Sequence, residues 1–287
     1  MQTLRGKIAI VGGASRGGGR GIALALGDAG ATVYVAARSL RGGPKPPDGA
    51  PGSVEDTADE VCRRGGVGIP VGVDLSDETQ VAALFHRVEE EHGRLDLLAN
   101  SSWGAHCIEE WGKRFWELSP QLWHDTQRTV ATYWLTGVHA ARLMSKQGGG
   151  LIAFVTDNYP DDASKYRGQV LHDVGHESIN RLVEGMAQDA QKCGVTVVGL
   201  NSGFMRTERV LMYMTTEKRK QQFRFHLSES VEFLGRAVAA MLADEKAPRH
   251  AGKLLWAADL AEEYGFTDVD GRIPRFDFTP PEILSFD

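Results

Sequence analysis

Seven short apolar runs alternate with helical stretches from one end of the chain to the other, and that alternation leaves few folds open. Lys7–Val11, Thr32–Ala37, Val67–Val73, Leu95–Ala99, Leu151–Thr156, Val195–Leu200 and Lys253–Trp256 have strand character, being β-branched or Leu-rich and closed by Gly, Asp, Asn or Ser. Between them, Gly19–Asp28, Val54–Arg64, Asp77–His92, Pro120–Lys146, Val170–Lys192 and Ser230–Ala243 carry helical patterns. Strands that are apolar throughout are buried on both faces, so the pattern predicts an α/β fold, doubly wound, with helices on both sides of a parallel sheet of about seven strands. Right-handed crossovers then open a ligand crevice at the carboxyl ends of the strands. No composition shift divides the chain, and residues 1–287 are expected to form one domain. Arg41–Gly52, rich in Pro and Gly, is expected as an exposed loop. Arg209–His226, a helical stretch bearing Met and aromatic residues, is expected as a flap over the crevice.

The first strand runs straight into Gly12-Gly13-Ala14-Ser15-Arg16-Gly17-Gly18-Gly19-Arg20-Gly21, and a helix follows. Glycines let the backbone turn sharply and approach a pyrophosphate, while the helix N-terminus offers free N–H groups and the positive end of its dipole. With a strand before it and a helix after it, this is the context that a Rossmann-type dinucleotide site requires. The second strand ends Val35-Ala36-Ala37-Arg38-Ser39. A carboxylate there would hold the 2′-hydroxyl of NAD, whereas Arg38, with Arg16 as a second cation, suits the 2′-phosphate of NADP(H).

Net charge is −6, with Lys and Arg scattered rather than striped, which argues against nucleic acid or an anionic membrane as the main partner. Met1–Lys7 has no apolar signal core, and no apolar run approaches the roughly 20 residues of a membrane span. A cytoplasmic protein acting on a small molecule is expected. Cys62, Cys107 and Cys193 are unevenly spaced with no CxxC, and read as small buried residues of a reducing compartment.

Together these features resemble the short-chain dehydrogenase/reductase family over nearly the whole chain. Gly13, Gly17 and Gly19 fall on its TGxxxGxG, with Gly12 in place of the Thr. Asp74, in Val-Asp-Leu, matches the residue that contacts adenine, and Leu95 to Ser102 matches D-x-L-V-N-N-A through Asn100, with Ser101 replacing the second Asn. Ser202-Gly203-Phe204-Met205-Arg206-Thr207 matches P-G-x-x-x-T, whose Thr holds the nicotinamide carboxamide, with Ser202 for the Pro. The stretch from Asp259 through Tyr264 to Arg272, opening a tail over 259–287, is similar to one found in a subgroup of the family. The resemblance implies Gly13, Ser15, Arg16, Gly17, Gly19, Arg38, Ser39, Asp74, Asn100 and Thr207 as cofactor residues. It also implies an oxidoreductase, and a homo-oligomer in which the helix bearing Trp123 and Trp134 packs against another subunit.

The family's catalytic set is changed at every position. Counting without a gap from Gly194-Val195 and from Gly203 through Thr207, His172 stands for the catalytic Tyr and His176 for the Lys four residues later. The catalytic Ser should close the fifth strand, where this chain has Val155-Thr156-Asp157, and the Asn should lie near Thr129-Val130. His172 and His176 are spaced i, i+4 and share a helix face. An imidazolium can give a proton to an alkoxide as a ketone accepts hydride. His176 can hydrogen-bond the ribose, and Asp157 can act as a base, orient the imidazole or cap the next turn. Tyr159 and Tyr166, the latter beside Lys165, lie in an acidic loop that can swing a phenol into the crevice. Two histidines alone make a poor metal site and the sequence offers no third ligand, so no metal is expected.

Trp103, Trp111, Trp116, Trp123 and Trp134 fall within 32 residues after the fourth strand. Core packing accounts for at least half of them, and the rest suit a bulky apolar or aromatic ligand. Three functions stay open: an NADP(H) oxidoreductase with a rebuilt proton shuttle; a non-redox cyclase, isomerase or lyase; and a non-catalytic NADP(H)-binding protein.

Overall fold

A computed structural model describes residues 3–275, apart from 45, 47–48, 105–109, 111–112, 158–165 and 167. Seven parallel strands form one sheet in the order β3-β2-β1-β4-β5-β6-β7. They are β1 (Ile8–Gly12), β2 (Thr32–Ala37), β3 (Val67–Gly72), β4 (Leu97–Asn100), β5 (Gly150–Thr156), β6 (Val195–Asn201) and β7 (Leu254–Trp256). Each falls within two residues of its expected place. The order reverses between β1 and β4, which puts the crevice outside the carboxyl ends of those two strands.

The helices are α1 (Gly17–Asp28), α2 (Val54–Arg63), α3 (Glu78–His92), α4 (Pro120–Gln147), α5 (Val170–Ala190), α6 (Glu208–Tyr213), α7 (Glu217–Gln222), α8 (Val231–Ala243) and α9 (Ala257–Tyr264). Local chemistry sets their ends. Ser53 and Asp77 accept backbone N–H bonds at the starts of α2 and α3, and Ser119 with Pro120 opens α4. Gly93 and Gly148, both left-handed, stop α3 and α4.

Alternate residues of the strands feed two cores. Ala9 and Val11 of β1 pack with α1, α2, α8 and α9, whereas Ile8 and Ile10 pack with α3, α4 and α5. On the first face α1 and α8 approach closely: a Cβ on Gly21 would sit 1.8 Å from the Val231 carbonyl oxygen, and one on Gly235 would sit 2.3 Å from that of Gly21. Among the described residues no helix is long and apolar enough to cross a membrane.

Three expectations need correction. The helical stretch at 209–226 is broken into two six-residue helices, α6 and α7, followed by a turn of 3-10 helix at Phe225–Leu227. β3 is an edge strand, with Val67 half exposed, so it is not apolar-covered on both faces; its Pro70 suits an edge. Cys62 and Cys193 are exposed rather than buried, and Cys107 lies outside the described residues.

Candidate active site

The turn after β1 is shaped by contacts that only glycine permits. Gly13 has φ +71°, and a Cβ there would come within 2.8 Å of the Ser101 backbone. A Cβ on Gly19 would lie 2.5 Å from the Gly13 carbonyl, so the turn folds directly onto the start of α1. No side chain of the N-cap residue caps α1. Instead its first N–H, from Gly17, donates to Glu208 Oε2 at 2.7 Å, and Arg20 lies 3.7 Å from Glu208 Oε1. A carboxylate thus stands where a helix N-terminus attracts phosphate. The cradle that a Cβ would fill and the anion already drawn to its mouth both fit a dinucleotide pyrophosphate.

Beside the turn, the Arg16 guanidinium donates to the carbonyls of Pro51 and Gly52 and to the Ser39 hydroxyl, all within 3.0 Å. The loop at 50–52, read from sequence only as exposed, therefore braces this cation. Arg38 is exposed at the end of β2, with Ala37 before it and no carboxylate at the strand tip. Asp74 accepts from the Ser76 amide and hydroxyl; burial would raise its carboxyl, but those bonds and nearby Arg38 hold it below the ordinary range. Ser15 is buried in the turn. Asn100 is fully buried and spends its amide on the Thr132 carbonyl, the Thr136 hydroxyl and the Ser102 N–H. Those bonds tie the end of β4 to α4 and shape the loop that follows.

A cavity of about 360 Å³ opens at the ends of β4, β5 and β6. Trp103, Tyr133, Phe204, Met205, Val210 and Trp256 give it an apolar wall, and Asp157, His172 and His176 form its titratable side. The two histidines lie one turn apart on α5, facing the cavity as their spacing predicts. Asp157, just past β5, reaches both: its Oδ2 is 3.1 Å from His172 Nε2, and its backbone N–H donates to His176 Nδ1 at 2.9 Å. Thr156, at the expected Ser position, turns into α5 and donates to Asn180 Oδ1 at 2.7 Å. The Trp103 ring stacks on His176 at 4.1 Å between centroids and meets His172 edge-on. Gly175 makes room for it, since a Cβ there would lie 2.9 Å from the indole.

One donor atom from each of Asp157, His172 and His176 lies within 4.8 Å of the other two, so a third potential ligand, hidden in the sequence, exists in space. The hydrogen bonding argues against an ion. A backbone N–H can only donate, so the His176 Nδ1 lone pair is engaged and its proton belongs on Nε2. Neither nitrogen of that ring then has a lone pair for a metal. His176 is instead a neutral imidazole of fixed tautomer, with Nε2–H as a donor.

Thr207 packs over the glycine turn, its Cγ2 3.5 Å from where a Gly17 Cβ would be, and its hydroxyl oxygen accepts the Val210 N–H to start α6. Behind this segment lies a network that sequence reading did not single out. Glu229 accepts the Gly203 N–H at 3.0 Å, and it pairs through its backbone with Phe204 and Arg206. Its carboxyl is pushed up to about 8, first by burial, opposed by the Gly203 N–H, with the charge of Asp268 raising it further against Arg206. Asp268, within the noted tail, is buried and accepts from Ser230, Val269 and Arg206. Nothing in the pattern around Glu229 marks a buried acid; its loop setting looks like an ordinary helix start.

Tyr159 and Lys165 lie outside the described residues, as does Trp111, and Tyr166 is half exposed and does not line the cavity. Among the described residues of the tryptophan cluster, only Trp103 lines the cavity. Trp116, Trp123 and Trp134 are exposed, the last two on α4, so core packing does not account for them.

The profile of the family described as short chain dehydrogenase matches residues 7–218. Dehydrogenase/reductase SDR family member 1 of Mus musculus is 35% identical over 280 residues, covering 94% of this chain and 85% of the mouse protein. The 7alpha-hydroxysteroid dehydrogenase of Clostridium sardiniense is 28% identical over 225 residues, covering 76% of this chain and 78% of its own. A short chain dehydrogenase structure from Mycobacterium thermoresistibile superposes with a TM-score of 0.80 at 20% identity, over 99% of each chain.

Proposed function

Because this chain belongs to the short-chain dehydrogenase/reductase family, we propose that it is an NADP(H)-dependent oxidoreductase for a bulky apolar or aromatic carbonyl and its alcohol, with His172 and Asp157 as its proton shuttle. The observation that carries this reading is the His172–Asp157 contact at 3.1 Å, on the titratable side of a cavity with an aromatic and apolar wall. Gly13, Gly17 and Gly19 would cradle the pyrophosphate, Arg16, Arg38 and Ser39 the 2′-phosphate, Asp74 the adenine, and Thr207 the carboxamide.

The chemistry that NADPH would supply when held there is a hydride for a carbonyl carbon. His172 gives a proton to the oxygen that the hydride leaves negative, and takes it back in the oxidative direction. Asp157 orients the His172 ring through the 3.1 Å contact at Nε2, as a carboxylate does beside a catalytic imidazole. His176, neutral with Nε2–H fixed, offers a hydrogen bond where the family's Lys holds the nicotinamide ribose, without that residue's charge. The aromatic wall sets the substrate class, and 360 Å³ is within the usual range for a small-molecule site. A cytoplasmic location and a homo-oligomer built through the Trp-bearing face of α4 belong to the same reading.

Equilibrium titration with NADPH and NADH tests it. NADPH is expected to bind at least about tenfold more tightly, a difference of about 1.4 kcal/mol. Absence of binding by either nucleotide overturns the proposal, and equal binding overturns its NADP preference.

A further inference from the structure

On the proposed dinucleotide reading, residues 203–207 meet the nicotinamide end, and the structure shows what holds this segment in place. Met205 and Glu229 form a parallel bridge: Glu229 N–H donates to the Phe204 carbonyl at 3.0 Å, and Arg206 N–H donates to the Glu229 carbonyl at 2.8 Å. Peptide groups alternate sides along an extended segment, so with the Phe204 carbonyl and the Arg206 N–H facing Glu229, the Met205 N–H turns away from Glu229. The Glu229 side chain adds a further tie through the Gly203 N–H.

Arg206 extends the contact to the C-terminal segment. Its guanidinium donates to the Ser228 carbonyl and hydroxyl and to Asp268, whose wholly buried carboxylate also takes the Ser230 N–H at 2.8 Å. The charges facing Glu229 are therefore Arg206, on its own loop partner, and Asp268, from the tail. Asp270 and Arg272 lie farther out, and Glu232 on α8 is engaged by Arg64. One guanidinium cannot neutralise two buried carboxylates, and the burial that raises Glu229 keeps it protonated at neutral pH.

We propose that Glu229 is a positioning residue for the nicotinamide end of the cofactor, holding 203–207 in register, and that the C-terminal segment around Asp268 is the other half of the same clamp. The inference rests on the dinucleotide reading above.

The test compares two probes, NADPH and 2′,5′-ADP, which shares the adenosine and phosphate end and lacks the nicotinamide. Glu229→Ala is expected to weaken NADPH by about tenfold while 2′,5′-ADP changes by less than about twofold. Glu229→Gln, an isostere of the neutral acid, is expected to keep NADPH affinity near that of the unmodified chain at pH 7. The unmodified chain should lose NADPH affinity, and not 2′,5′-ADP affinity, as pH rises through about 8, and Glu229→Gln should not. Asp268→Asn should show the same split in milder form if Glu229→Ala does not fold. Equal losses for both probes, or no loss for either, overturn the clamp. Glu229→Gln behaving like Glu229→Ala overturns it as well. Failure of the unmodified chain to bind either probe removes the dinucleotide reading itself and the clamp with it.

Discussion

Glu208 sits at the helix N-terminus that the proposed function gives to the pyrophosphate, and replacing it by Gln measures what that occupation costs. Its Oε2 receives the Gly17 N–H at 2.7 Å, at a helix start where the side chain of the N-cap residue makes no capping bond. A hydrogen bond to a charged group is worth about 1.5–3 kcal/mol, against about 0.5–1.5 for a neutral one. The Glu208 side chain is 22% exposed and its contact with Arg20 is long at 3.7 Å, so that ion pair adds little. Exchanging carboxylate for amide should therefore lower the cost of admitting the pyrophosphate by about 1–1.5 kcal/mol, or about five- to tenfold in affinity. Because the pyrophosphate is common to both nucleotides, NADPH and NADH should tighten equally in Glu208→Gln. Nicotinamide fluorescence or calorimetric titration at fixed salt reads the effect. Unchanged or weaker binding of both, or a change for only one, would refute the idea that this carboxylate stands in the pyrophosphate site.

Arg38→Asp combined with Arg16→Ala should weaken NADPH by more than about a hundredfold, two charge-assisted contacts being lost, while leaving NADH within a few-fold; equal effects would contradict the 2′-phosphate assignment. Gly21→Ala forces a methyl to within 1.8 Å of the Val231 carbonyl oxygen. Overpacking of about 1–3 kcal/mol or more, against the roughly 1 kcal/mol that Ala gains over Gly in a helix, should lower the melting temperature by several degrees; an unchanged melting temperature would show that the α1–α8 contact is looser than described. Glu229 ionises near its ordinary 4.5 in the unfolded chain and near 8 when folded, so folding takes up a proton between those values. Stability should fall as pH rises through that window, by at most about 1.4 kcal/mol per unit, and level off above it. Denaturant titrations of Glu229→Gln should lack this slope.

Much of the fold is legible because its signals are local and repeated. Thr32–Ala37 and Val54–Arg63 announce themselves by β-branching and by a Ser cap, and both lie within a residue of where the pattern puts them. Spacing alone brought His172 and His176 to one face of α5, and the glycine turn carried its own geometry. What the sequence hid depends on distance through space. Asp157 reaches both imidazoles by two different groups, side chain and backbone, and only the backbone bond fixes the tautomer that argues against a metal. Glu208 meets Gly17 across 191 residues, and Glu229 becomes an unusual acid only because Asp268 and the burying walls come from elsewhere. Tryptophan clustering misled for a related reason: nearness along α4 says nothing of facing, and Trp123 and Trp134 point outward.

The central claim is that a hydride leaves NADPH for a carbonyl held beside His172. NADPH carrying deuterium at the transferred position, incubated with a panel of aryl and alicyclic ketones, tests it by mass spectrometry of the alcohols formed. The account predicts deuterium on the carbinol carbon of at least one product, with loss of that product in His172→Phe. Saturated NADPH binding with no deuterated alcohol from any ketone, or undiminished transfer in His172→Phe, would contradict it.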